Sequence, residues 1–214
     1  MDLLKSLVEV GALWQHDGNP KRPYALLTTG NISDSYVNSG RLVTYPSLVA
    51  AAAKELAGKI RLEVETTENL VMVGQMKGSV TLASRIAEEL DCAFIWTNKS
   101  ADQPDKEMEI DTRFNLSRFE NHHFVVIEDV LTTGDTSLRT IKSLGKLGIS
   151  LLPIIPCLVS WNPEKEINGY KILPCLSLTM NVWGEGKNPY TENGQELVDP
   201  VRPKGAHSQL LYDS

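Results

Sequence analysis

Between residues 46 and 178 apolar runs alternate with helical stretches, and that alternation leaves few folds open to the chain. Apolar runs occupy residues 70–73, 92–96, 124–127, 151–159 and 171–178. The spacing between them predicts helices from Pro46 to residue 60, over 79–90 and over 136–147, with Pro46 placed where a first helical turn tolerates it. Strands apolar on both faces need helices on both sides, so the expected class is α/β with a doubly wound, mainly parallel sheet. Such sheets take ligands beyond the carboxyl ends of their strands, which directs attention to residues 74–78 and 128–136.

The flanks read differently. Leu3, Leu4, Leu7, Val8 and Leu13 repeat near helical spacing, with Gly11 available to end the helix, and residues 25–28 and 35–38 read as short strands around Thr29-Gly30. Residues 1–45 are expected to form a small hood, 46–180 the α/β core and 181–214, punctuated by glycine and proline, a flap or tail, all within one compact unit. A chain of 214 residues buries about 70% of its unfolded surface, so no disulfide or structural metal is required. With 42% hydrophobic and 22% charged residues, disordered, collagenous and coiled-coil classes are excluded. The net charge of −6 argues against a nucleic-acid partner. Cys92, Cys157 and Cys175 are odd in number and set among apolar residues, which reads as buried thiols in a reducing compartment. No stretch approaches the ~18 apolar residues of a membrane span, so a cytoplasmic protein without a membrane partner is expected.

The most informative run is VVIEDVLTTGDTS, residues 125–137. An apolar strand delivers Glu128 and Asp129 to its end, and a turn rich in hydroxyls and glycine then opens a helix. Thr132, Thr133, Gly134 and Thr136 offer hydroxyls and amides at a helix N-terminus, where a phosphate monoester fits. The acids precede this cradle, in position to accept hydrogen bonds from sugar hydroxyls. From the residues alone a second account stays open, in which the acids merely end a strand and Asp135 or Thr136 caps the helix. The run lacks the Gly-Lys-Ser/Thr ending of a nucleotide P-loop and the spacing of a dinucleotide fingerprint, which makes ATPase and NAD readings poor.

The same run resembles the phosphoribosyl pyrophosphate (PRPP) signature of the type I phosphoribosyltransferases, and VGQMKGSVTLA, residues 73–83, resembles that family's pyrophosphate loop. Within the family the orotate enzymes are most similar, because LLKSLVEVGAL (3–13), LLTTGNISDSYVNSGRLVTYP (26–46) and NPYTENGQELVDP (188–200) follow their first helix, hairpin and tail in order. The resemblance implies transfer of phosphoribose from PRPP to orotate with Mg²⁺ carried by PRPP, no metal ligand being assigned to the protein, and a homodimer. It implies a catalytic set of Asp129, Glu128, Lys77 and Lys99. The PRPP contacts would be Glu128, Asp129, Val130, Leu131, Thr132, Thr133, Gly134, Asp135, Thr136, Lys77, Gly78 and Lys99. Thr28, Tyr36 and Thr132 would meet the base.

The base side departs from the family pattern. Thr28 stands where the orotate enzymes carry a lysine, Asn31-Ile32 where they carry a basic pair, and Asn162-Pro163 where an arginine reaches orotate. The family's catalytic loop falls within residues 98–111, where Lys99 matches, the following lysine and histidine are replaced near Asp102 to Pro104, and Lys106 is out of register. Charge-assisted contacts are worth roughly 1.5–3 kcal/mol each, so these replacements bear on rate. The rival expectations are a transferase for another base, a PRPP-binding regulator with little turnover, and a plain sugar-phosphate module.

Overall fold

The computed structural model describes residues 2–19, 23–27, 30–102, 107–111 and 113–184, apart from the Lys77 side chain, and the backbone of Leu197–Val198. Its residues fall into two units by contact: Leu42–Leu178, and Asp2–Arg41 together with the chain from Thr179 onward.

The second unit begins with α1 (Leu3–Glu9), capped by the Asp2 carboxylate, which accepts from the Lys5 amide at 3.2 Å. This helix ends sooner than its apolar spacing predicts. Gly11 takes φ +65°, and Leu13 starts β1 (Leu13–Gln15) instead of extending the helix. There follow β2 (Tyr24–Leu26), β3 (Ile32–Ser33), β4 (Ser35–Val37) and α2 (Ser39–Leu42). β1 pairs with β4, setting Trp14 opposite Tyr36.

In the larger unit α3 (Pro46–Arg61) starts on its proline and buries Leu48, Val49, Ala52, Ala53, Leu56, Ala57 and Ile60, one continuous stripe. β5 (Leu70–Gln75) is buried at every position, as a central parallel strand must be. α4 (Met76–Leu90), β6 (Ala93–Lys99), β7 (Met108–Ile110), β8 (His123–Leu131), α5 (Asp135–Lys146), β9 (Ile154–Ser160), β10 (Glu166–Ile167) and β11 (Tyr170–Ser177) complete it. The seven-stranded sheet runs β10-β11-β9-β8-β5-β6-β7, parallel except at its two edge strands. α3 packs with α4, while α5 packs on β5, β7 and β8 and closes a core of Val71, Val73, Val126, Ile141, Leu144 and Ile155.

The chain then returns to the smaller unit. There β12 (Val182–Trp183) pairs with β3, and β13 (Leu197–Val198) with β2, in a four-stranded sheet ordered β12-β3-β2-β13. Asn181 fastens this return, its amide and carboxamide both donating to the Asp34 carboxylate, at 3.0 and 2.6 Å. Among the described residues no helix is long and apolar enough to cross a membrane. The three thiols are free; Cys157 is buried and Cys92 and Cys175 half-buried, and desolvation pushes Cys92 up to about 11 and Cys175 up to about 12.

One glycine fixes how closely α4 approaches the sheet. A Cβ on Gly74 would meet the Val80 Cα at 2.7 Å, a backbone contact that no side-chain rotation relieves. Gly74→Ala is expected to cost about 1–3 kcal/mol of stability, read as a lower urea midpoint at unchanged slope.

Candidate active site

From β5 the chain crosses through α4 to β6 on one side, and from β8 it crosses through α5 to β9 on the other. Because β5 and β8 are neighbours, their carboxyl ends flank a topological switch point, where the two connections leave a crevice. Both turns singled out in the sequence lie there.

The turn after β8 leads into a helix through a glycine. Thr132 and Thr133 are exposed, Gly134 takes φ +81° in the left-handed region and has no side chain with which to cap α5, and the Asp135 amide reaches Thr133 Oγ1 at 3.4 Å. Amides and hydroxyls at the positive end of a twelve-residue helix are groups that a phosphate can use. The turn is braced from outside: the Asn162 carboxamide donates to the Thr132 carbonyl at 2.9 Å, and the Trp161 amide donates to the Leu131 carbonyl at 2.8 Å. Arg139 brings a cation to the same turn, its guanidinium donating to the Asp135 carbonyl at 3.3 Å and to Thr136 Oγ1 at 3.5 Å. Sequence reasoning passed over Arg139; the signal was its spacing of three and four residues from Thr136 and Asp135, which sets them on one helix face.

Glu128 and Asp129 differ in burial. β8 runs on to Leu131, so both acids lie inside the strand and not at its end. Glu128 turns toward α5, accepting from Ser137 Oγ at 2.8 Å and from Gln75 Nε2 at 3.2 Å, and it is buried. Burial, reinforced by the adjacent Asp129 charge, holds its carboxyl well above the usual glutamate value. Asp129 is half-buried beside it, one oxygen accepting from the Val130 amide at 2.9 Å, and its carboxyl lies within hydrogen-bond range of that of Glu128. The sequence directs both carboxylates at one sugar; the structure sets them side by side, with Asp129 the more accessible of the two.

The turn after β5 starts at Met76, which holds φ +53°, a left-handed conformation that a non-glycine residue adopts only under constraint. Lys77 and the half-exposed Gly78 lie in the first turn of α4. That helix begins three residues earlier than its apolar spacing predicts, at Met76 instead of residue 79. Lys99 closes β6 as an exposed strand residue paired with Met108, so the segment expected as a loop is strand at both ends. Thr97 pairs with Gln75, which puts Lys99 two residues past the level of Gln75 on the same sheet edge. Tyr36, half-buried in β4, packs against Trp14 and Ala25 of the smaller unit. Thr28 and Lys106 lie outside the described residues, as does the Lys77 side chain.

Comparison with known proteins gives this doubly wound α/β domain its family. The phosphoribosyl transferase domain model matches residues 45–186, and the chain belongs to that family. An orotate phosphoribosyltransferase of Caldicellulosiruptor bescii is 26% identical over 175 residues, covering 82% of this chain and 86% of that protein. Among solved structures, orotate phosphoribosyltransferase from Aeropyrum pernix superposes with a TM-score of 0.60 at 20% identity, over 82% of this chain and 93% of that one. Adenine phosphoribosyltransferase from Trypanosoma brucei, in complex with AMP, pyrophosphate and ribose-5-phosphate, gives a TM-score of 0.57 at 15% identity, over 82% of this chain and 79% of that one.

Proposed function

We propose that this chain transfers phosphoribose from PRPP to orotate, releasing pyrophosphate and forming the nucleoside monophosphate. The observation that carries the reading is the pairing of two turns across one switch point: the glycine-led, hydroxyl-rich start of α5 with Asp129 before it, and the strained start of α4 with Lys77 in it. The curated relative that acts on orotate spans most of the chain and supplies the base. Asp129 holds the ribose hydroxyls and the positive charge that develops at the anomeric carbon as pyrophosphate leaves. The amides and hydroxyls of residues 132–136, with Arg139 alongside, hold the 5-phosphate, while Lys77 and Lys99 oppose the charge of the departing pyrophosphate. Thr28, Tyr36 and Thr132 are assigned to the base. The chain acts as a homodimer in the cytoplasm.

Family members use Mg²⁺ with PRPP. Among the described residues no three His, Cys, Asp or Glu side chains gather. A hard cation that keeps its waters and takes phosphate and ribose oxygens fits a site offering Asp129 as its carboxylate, and when bound it offsets charge on the leaving group.

Lys99→Ala is expected to lower the turnover number for pyrophosphate release by about 10- to 100-fold, the equivalent of one charge-assisted contact, with ribose 5-phosphate affinity unchanged. Parallel titrations and steady-state assays check both halves of that statement.

The reading as a whole is tested by pyrophosphate release from Mg²⁺ and PRPP with orotate, beside uracil, adenine, guanine and hypoxanthine. Release with orotate alone is expected. Release with another base reassigns the acceptor. A second reading, a PRPP-binding regulator, is favoured by Asn162, which spends its carboxamide on the Thr132 carbonyl where the orotate enzymes carry an arginine. Silence with every base alongside retained PRPP binding would select it.

A further inference from the structure

Gln75 is the last residue of β5 and is 2% exposed. Its side chain spans the interior between the two turns. Nε2 lies 3.1 Å from the Ile127 carbonyl, 3.2 Å from Glu128 Oε2 and 3.1 Å from Ser137 Oγ, while Oε1 accepts from Thr140 Oγ1 at 2.7 Å. Its backbone reaches the other way. The Gln75 amide donates to Ser79 Oγ at 2.6 Å, and the Ser79 hydroxyl donates to the Gln75 carbonyl. One residue thus grips the start of α4 through its main chain and the start of α5 through its carboxamide.

We infer that Gln75 is a positioning residue that makes the pyrophosphate turn and the ribose-phosphate turn bind their ligands cooperatively; the inference rests on the PRPP reading of those turns. Gln75 itself is sealed from substrate. Its effect runs through Met76, whose left-handed backbone is strained and persists only while the surroundings hold it. An anion drawing the first turn of α5 toward itself moves Ser137 and Thr140, to which the carboxamide is tied, and so sets the Met76–Gly78 backbone that meets the second anion. A core role alone calls for no amide here, since a leucine fills similar volume. What the amide adds is a satisfied polar linkage between two elements that touch different parts of one substrate. Coupling of this kind is reciprocal, each ligand tightening the other by the same factor.

The test is calorimetric titration of the full chain with magnesium pyrophosphate and with ribose 5-phosphate, each alone and then with the other present at saturation. In the wild type each ligand is expected to tighten the other by about fivefold or more. Thr140→Val, which removes only the outer hydrogen bond to Gln75, and Gln75→Leu are both expected to bring that factor within about twofold of unity while each ligand alone binds nearly as before. If Gln75→Leu fails to fold, Thr140→Val decides. Independent binding in the wild type, or unchanged coupling in the folded variants, overturns the proposal and leaves the site reading standing. Failure of the wild type to bind either ligand overturns the site reading and the proposal with it.

Discussion

Asp129→Asn is expected to lower kcat/KM for PRPP by about 100-fold or more with the unfolding midpoint unchanged. The carboxylate is half-buried, and an asparagine oxygen can accept in its place both from the next residue's amide and from the neighbouring Glu128 carboxyl. Folding therefore loses little. Two ribose hydroxyls and a developing positive charge lose an anionic partner, and charge-assisted hydrogen bonds run at about 1.5–3 kcal/mol each, with every 1.36 kcal/mol worth tenfold in rate. Steady-state pyrophosphate release and urea unfolding on the same preparation check the two halves. Equal loss of activity and stability would remove Asp129 from the substrate side.

One residue earlier the balance is reversed. Glu128→Ala is expected to lower stability by about 2–4 kcal/mol, since Ser137 Oγ and Gln75 Nε2 lose a buried acceptor and a cavity opens beneath α5. Glu128→Gln keeps the acceptor and isolates the charge. Burial first, and the Asp129 charge second, raise the folded Glu128 well above the ordinary 4.5, so the native chain retains a proton that the unfolded chain gives up. The stability this proton supplies is fully present below 4.5, declines as pH rises above it and is lost once pH passes the folded value. Glutamine carries no such proton. The Tm of Glu128→Gln should therefore gain on the wild type as pH rises above about 4.5, until the folded Glu128 itself ionises. A gap independent of pH would mean that Glu128 is charged and solvated in the native state.

The contrast between these neighbours also shows how far the sequence could be read. Uninterrupted apolar runs such as Val125–Ile127 announced strands covered on both sides, and Pro46 announced its helix, because these signals are local. Polar residues that continue a strand are harder. Glu128 and Asp129 read as the strand's end, yet β8 runs on two residues further, to Leu131. The network of Gln75, Ser137 and Thr140 joins residues 62 and 65 positions apart, a pairing that no periodicity carries. Short pairings escaped for the same reason. β12 and β13 are two residues each within a stretch rich in glycine and proline, and their partners β3 and β2 lie more than a hundred residues away. Lys99 read as loop because edge pairing with β7, not apolarity, makes it strand.

The central claim is that the switch point between β5 and β8 is a PRPP site in which Asp129 faces the ligand and Glu128 faces the core. Its most direct test is calorimetric titration of PRPP, in the presence of Mg²⁺, into the wild type, Asp129→Asn and Glu128→Gln. Saturable binding to the wild type, close to wild-type affinity in Glu128→Gln and at least tenfold weaker binding in Asp129→Asn are predicted. Undiminished binding in Asp129→Asn, or a greater loss in Glu128→Gln than in Asp129→Asn, would contradict the account.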